Sequence, residues 1–240
     1  MEKEKLSRRR FLASAGRLAA GATAGAAGLS AIAGSQAVAA EVPEWPWPYK
    51  KLDPEAVDRK GQELYRQYGC GQGSFEALVT EEGAPYTSVP TGMLRFGGAG
   101  IAGWGSHCGA LLGSTTFIQL VHKDPSVANK LITELTGWYT EFHGSGSPLC
   151  HVSVTEWSKK NGVRTDSQER KDRCAMLTGA CARKTAELLN AQADGAFASL
   201  FGPRQSVVDC HSCHGANGMG QVEKGVLQDC TSCHETAHKS

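Results

Sequence analysis

Two copies of the pattern Cys-x-x-Cys-His lie near the end of the chain and constrain its folding more than any other feature. The segment that holds them, residues 202–240, consists of short polar stretches with few apolar side chains. A segment of this length and composition cannot bury enough apolar surface to form a core of its own. A bound group must therefore order it.

The repeated pattern is that of covalent c-type haem attachment. Two thiols at this spacing reach the two vinyl groups of one porphyrin, and the next residue then lies under the iron. A zinc ribbon uses four cysteines at a similar spacing but does not need the two histidines, and disulfides are a third alternative. We predict two haem c groups per chain, attached to Cys210, Cys213, Cys230 and Cys233, with His214 and His234 as proximal ligands of the haem iron.

The sixth ligands of the two irons have to come largely from the rest of the chain. Low-potential electron carriers use two imidazoles as axial ligands, and the C-terminal segment offers few further histidines. We predict His122 and His107 as the candidate distal ligands, ahead of the other histidines and the methionines.

Residues 1–40 have the pattern of an export signal. Arg8 and Arg9 precede a weakly apolar run of Ala and Gly without acidic residues, and Ala37-Val38-Ala39 offers a small-residue cleavage site. A membrane anchor is the alternative, but such anchors are richer in Leu and Ile. We predict a cleaved twin-arginine signal peptide, a mature protein in the periplasm, and no stable membrane anchor after cleavage.

Residues 41–201 are predicted to form a helical domain. Asp53-Pro54 and Asp124-Pro125 are helix starts, and further helices are predicted from about residue 108 to 122 and from 169 to 190. Three prolines around two tryptophans make residues 41–49 an extended arm. No alternating run of β-branched residues is long enough for a sheet. The predicted fold class is mainly α, with an irregular haem-binding segment over residues 202–240.

Five cysteines remain once the haem sites are filled, so disulfides cannot use them all. Four of them suit an iron-sulfur cluster. The twin-arginine route exports proteins already folded around cofactors, whereas haem c is attached outside the cytoplasm, so a cluster would explain the choice of route. If Cys174 and Cys181 share one continuous helix, they lie about 10 Å apart along its axis, and only one of them is a ligand unless Thr178-Gly179 breaks the helix. Buried thiols or disulfides are the alternative.

The chain has Gly69-Cys70, then Cys108-Gly-Ala-Leu-Leu-Gly113, then Cys174 and Cys181. This series resembles the redox-active family named for its C_GCAxxG_C_C pattern. With an export signal and two haem motifs added, the chain is similar to the split-Soret cytochromes c of sulfate-reducing bacteria. The resemblance implies a mostly helical homodimer with closely stacked, bis-histidine haems, and suggests an iron-sulfur centre. Cys150 matches the family pattern least well. The candidate iron-sulfur ligands are therefore Cys70, Cys108, Cys174 and Cys181.

The predicted function is electron transfer between periplasmic redox proteins. The formal net charge is only +1, and the excess of basic residues lies within residues 1–40, so a nucleic-acid partner is not expected. A haem enzyme with one open coordination site for a small substrate is the alternative, and a redox or metal sensor is a third. No acid/base group is evident beside a haem, which favours electron transfer over an enzymatic role, although that role is left open.

Overall fold

The helix starts predicted at Asp53-Pro54 and Asp124-Pro125 are present in the computed structural model of the protein, which describes residues 42–142, 147–202, 205–214 and 227. The Asp53 carboxylate accepts a hydrogen bond of 2.9 Å from the Glu55 N–H. The Asp124 carboxylate accepts one of 2.8 Å from the Ser126 N–H. Both aspartates thus satisfy an amide that the first helical turn leaves without a partner.

The described residues contain seven α-helices and no β-strand, so the fold is mainly α, as predicted. Short 3-10 turns cover Tyr86–Ser88 and Thr91–Gly97. No described helix is both long and apolar enough to cross a membrane. The helices are α1 Pro54–Tyr68, α2 Cys70–Glu82, α3 Gly109–Val121, α4 Pro125–Phe142, α5 Cys150–Asn161, α6 Gln168–Ala193 and α7 Gln205–His214.

The core forms where α1, α2, α3 and α6 pack together. Phe75 of α2 and Phe117 of α3 are fully buried at its centre and meet edge to face, with ring centroids 6.4 Å apart. Helices α1 and α6 cross at two glycines, since a Cβ at Gly61 would lie only 2.9 Å from the Cα of Gly179. This crossing therefore requires glycine in both helices.

Helix α6 runs without a break through Thr178-Gly179, so the alternative in which the helix breaks there is wrong. A glycine inside a helix costs about 1 kcal/mol relative to alanine. The close crossing with α1 explains why it is present, because a Cβ at Gly179 would lie 2.7 Å from Cγ of Gln62. Cys174 and Cys181 consequently lie on one helix, about 10 Å apart along its axis.

Three helices have no clear pattern in the sequence. Helix α2 begins Cys-Gly-Gln-Gly-Ser and is buried on most sides, so it lacks an amphipathic stripe. Helix α5 has β-branched residues of low helix propensity in its first two turns, at Val152, Val154 and Thr155. Helix α7 lies inside the segment predicted to be irregular, and Val207 within it is fully buried. Tertiary packing stabilises such short helices where intrinsic propensity does not.

The predicted extended arm is present from residue 42 onward and lies against the helical body. The indole N–H of Trp45 donates a hydrogen bond of 2.8 Å to the Leu120 carbonyl. The ring of Trp47 meets Tyr86 edge to face at 5.1 Å. The predicted signal peptide, residues 1–40, lies outside the described residues, and the predicted domain boundaries stay predictions.

Asn190 of α6 holds the end of the arm, and its loss is expected to destabilise the protein. Its side-chain oxygen accepts hydrogen bonds from the Tyr49 hydroxyl at 2.8 Å and the Leu52 N–H at 3.1 Å, and its NH₂ donates to the Leu52 carbonyl at 2.9 Å. At about 1 kcal/mol for each bond, Asn190→Ala should lower the free energy of unfolding by about 3 kcal/mol.

Urea unfolding followed by far-UV circular dichroism measures this effect. The control is Asn161→Ala at the exposed end of α5, where the side chain donates one hydrogen bond, to the Trp157 carbonyl. Its expected loss is below about 1 kcal/mol. Equal losses in the two variants would contradict the assigned role of Asn190.

Candidate metal centre

Four cysteines line one cavity of about 700 Å³. Three of them stand where a helix begins: Cys70 and Cys150 are the first residues of α2 and α5, and Cys108 is the N-cap of α3. The fourth, Cys174, lies in the second turn of α6. A helix N-terminus carries partial positive charge and free N–H groups, which favour the thiolate form of a nearby cysteine. The fold thus brings three such termini to one cavity.

Glycines allow the cysteine-bearing segments to approach each other closely. A Cβ at Gly109 would lie 2.5 Å from the sulfur of Cys70 and 3.0 Å from the backbone nitrogen of Gly71. A Cβ at Gly100 would lie 2.7 Å from Cβ of Cys150, and the φ of Gly100 is +71°. The glycines of residues 97–113 therefore allow close packing, and this packing places the thiols around the cavity.

The loop of residues 98–105 at the edge of the cavity has an unusual backbone. Three of its non-glycine residues have positive φ, which costs about 1 kcal/mol each. The loop is fixed to the site because the His151 N–H donates to the Gly105 carbonyl at 2.9 Å and the Ala99 N–H bonds to the Cys70 sulfur. Strain of this kind is typical of a functional site. The three residues, with their φ values, are Ala99 (51°), Ile101 (60°) and Ala102 (50°).

Burial raises the pKa values of the cavity thiols. Desolvation, with the nearby Cys108 thiol as the next cause, raises the pKa of Cys70 to about 12 and that of Cys150 to about 11. Burial also raises the pKa of Cys108, although its hydrogen bond with Tyr139 and the N–H groups at the start of α3 oppose the rise. Thiols with such pKa values hold their protons at neutral pH, so a metal has to displace these protons when it binds.

Arg170 supplies positive charge beside the thiols. One of its terminal nitrogens lies 4.0 Å from the sulfur of Cys174, and its Nε donates a hydrogen bond of 2.8 Å to the Thr165 carbonyl. This second bond fixes the guanidinium at the cavity wall. A fixed cation offsets the negative charge that several thiolates would gather in a partly buried site.

Three of the four predicted cluster ligands line the cavity, together with Cys150. Cys70, Cys108 and Cys174 line it, whereas Cys181 is fully buried in the hydrophobic core and does not. The spacing argument already indicated this outcome, because one continuous helix leaves only one of Cys174 and Cys181 at the site. The roles of these residues as ligands stay predictions.

The cavity offers thiol donors of the kind that iron centres use. In residues 42–142, 147–202 and 205–214, no three His, Cys, Asp or Glu side chains converge closely enough to hold a single metal ion. Four thiols spread around about 700 Å³ instead leave room for a group of several atoms. Thiolates are the ligands that such iron centres use. The residues present therefore fit an iron centre.

The two predicted distal histidines lie at the two ends of α3. His107 precedes Cys108 and forms an isolated bridge with Leu149, and His122 follows the last residue of the helix. Burial lowers the pKa of both imidazoles. Both are therefore neutral at pH 7, which is the form that binds a metal. Their role as distal ligands stays a prediction.

The first Cys-x-x-Cys-His copy lies on helix α7. Because residues three and four apart share a helix face, Cys210, Cys213 and His214 project to one side. Cys213 is exposed and Cys210 half-buried. The role of these residues in binding a group stays a prediction. The second copy, with Cys230, Cys233 and His234, lies outside the described residues.

Two comparisons of the sequence place the chain among known redox proteins. The family model described as "Putative redox-active protein (C_GCAxxG_C_C)" matches residues 68–188, which include all five cysteines of the helical body. Split-Soret cytochrome c from Desulfovibrio desulfuricans (strain ATCC 27774 / DSM 6949 / MB) is 33% identical over 217 residues, covering 78% of this chain and 77% of the relative.

A solved structure has the same fold. It is described as "A novel iron centre in the split-Soret cytochrome c from Desulfovibrio desulfuricans ATCC 27774". The match has a TM-score of 0.72 and 32% sequence identity, and covers 79% of this chain and 90% of the solved chain.

The prediction of two haem c groups per chain is wrong, whereas the iron-sulfur cluster stays a prediction. The group described for the solved relative is a novel iron centre, not a pair of haem c groups. The prediction gave most weight to cysteine spacing in the C-terminal segment, whereas the structure gathers four thiols in the helical body. The C_GCAxxG_C_C match, the shared helical fold and the identity over most of both chains show that this redox protein belongs to the split-Soret cytochrome c family.

Proposed function

We propose that this protein transfers electrons through an iron centre held by Cys70, Cys108, Cys150 and Cys174. One observation carries the proposal: four thiols line a single cavity, and three of them stand at helix N-termini. The iron centre described for the solved relative, which is 32% identical, supports it.

Each part of the site has a task in this proposal. The four thiolates bind the iron, which when present supplies one-electron oxidation and reduction. The Ala99 N–H and the first amides of α3 donate to the sulfurs of Cys70 and Cys108 and stabilise their negative charge. Arg170 offsets part of the remaining charge. Such donors and charges set the reduction potential of an iron centre held by thiolates.

The same proposal places electron transfer in the periplasm, between this protein and other redox proteins. The twin-arginine pattern of residues 1–40 supports export, since this route carries folded proteins with their cofactors. Trp104, in the loop at the cavity edge, is 86% exposed and offers an apolar contact for a partner. Redox partners meet through small and short-lived interfaces. Assembly as a homodimer is also proposed, on the family resemblance.

Iron content and redox cycling test the proposal. The full chain is isolated without oxygen and its iron per chain is measured. The protein is then reduced with dithionite and reoxidised with ferricyanide in a stopped-flow spectrometer. The wild type should show a visible band that bleaches and returns with each cycle. Cys108→Ser should lose the iron of the cavity and this band, because one of the four thiolates is gone. Far-UV circular dichroism checks that the variant keeps its helices. Equal iron and equal bands in both proteins would overturn the proposal.

A further inference from the structure

A chain of buried polar side chains runs from α6 to the sulfur of Cys108. A terminal nitrogen of Arg173 donates a hydrogen bond of 2.8 Å to Oγ of Ser153. The Ser153 Oγ lies 3.0 Å from the Tyr139 hydroxyl, and that hydroxyl contacts the Cys108 thiol. All four residues line the cavity that holds the thiols.

These side chains are almost completely removed from water. Tyr139 is 0% exposed, Ser153 1% and Arg173 5%. The guanidinium of Arg173 also stacks on the ring of Trp157, with 5.5 Å between its central carbon and the ring centroid. Hydrogen bonds are stronger in such surroundings, and a buried cation needs partners of this kind.

The protons available on each group fix the direction of these hydrogen bonds when Cys108 binds iron. A sulfur bound to iron has no proton, so it can only accept, and the Tyr139 hydroxyl has to donate to it. The Tyr139 oxygen then accepts from the only hydroxyl proton of Ser153. Ser153 in turn accepts from Arg173, which can only donate. Each bond polarises the next toward the sulfur.

We propose that Arg173, Ser153 and Tyr139 form a hydrogen-bond relay that ends on the Cys108 sulfur and raises the reduction potential of the iron centre. Reduction adds negative charge to the sulfurs, and a donor stabilises the reduced state more than the oxidised one. Tyr139, Ser153 and Arg173 are thus positioning residues for the redox site. This inference rests on the proposed function.

The test compares two tyrosines that are equally buried. Tyr139→Phe removes the donor to sulfur, whereas Tyr86→Phe removes a fully buried hydroxyl that donates to the Trp47 carbonyl in the core. The midpoint potential of the visible band is measured by anaerobic titration. Tyr139→Phe should lower the equilibrium constant for reduction roughly two- to fivefold, within the value of one net hydrogen bond. Tyr86→Phe should leave it unchanged.

Ser153→Ala keeps the test decisive if Tyr139→Phe does not fold, because it leaves Tyr139 in place and removes its donor. It should retain the iron and lower the equilibrium constant for reduction, by less than the loss of the Tyr139 hydroxyl does. Unchanged midpoints in iron-loaded Tyr139→Phe or Ser153→Ala would overturn the relay alone. A wild-type protein without iron in the cavity would overturn the proposed function and the relay with it.

Discussion

Cys150→Ala is expected to remove the iron of the cavity, whereas Cys181→Ala is expected to retain it. Cys150 lines the cavity at the start of α5, so its loss leaves three thiols for the centre. Cys181 is fully buried in the hydrophobic core and does not line the cavity. Its replacement removes only packing, at about 1 kcal/mol.

Iron per chain and the visible band of the two purified variants decide this prediction. Thermal unfolding serves as the control, because Cys181→Ala should lower stability slightly and still bind iron. The opposite result, with iron kept in Cys150→Ala and lost in Cys181→Ala, would restore the ligand set that the sequence pattern suggested.

Gly109→Ala is expected to disrupt both the fold and the metal centre. The added Cβ would lie 2.5 Å from the sulfur of Cys70 and 3.0 Å from the backbone nitrogen of Gly71, and backbone atoms cannot move aside locally. Overpacking of this kind costs about 3 kcal/mol. Because the clash includes a cavity thiol, we also expect iron to be lost from the folded fraction of the variant.

Gly92→Ala is the matched control for this substitution. Gly92 lies in the 3-10 turn Thr91–Gly97, and a Cβ there would meet no atom within 4 Å. Its effect on the free energy of unfolding should stay within about 0.5 kcal/mol, with full iron content. Thermal unfolding and iron analysis of both variants measure the difference. A Gly109→Ala protein as stable and as iron-rich as Gly92→Ala would show that the close approach is not required.

Local sequence patterns predicted the helices that neighbouring residues in the chain start and stabilise. The Asp-Pro pairs at residues 53–54 and 124–125 fix the starts of α1 and α4, because an aspartate side chain caps the amides next to it. Helix α2 has no such pattern. Its glycines suggest a loop, and only its burial among neighbouring helices makes it a helix.

The site shows the same division between local and tertiary causes. The seven-residue spacing of Cys174 and Cys181 follows from helix geometry, and it indicated that both could not bind one centre. The choice between them could not be made from spacing. The two residues share a helix face two turns apart, so the choice depends on where the cavity lies along α6, and Cys174 lines it while Cys181 lies in the core.

The sequence by itself determined the mainly α fold, the helix starts and the cysteine pattern that marks a redox family. Each of these depends on residues close together in the chain, where caps and spacings act directly. Only the tertiary structure decided that Cys150 joins the site, that three helix N-termini meet at one cavity, and that Tyr139 contacts Cys108. These contacts join residues from α2 to α6, and their positions follow from how the helices pack rather than from any one segment.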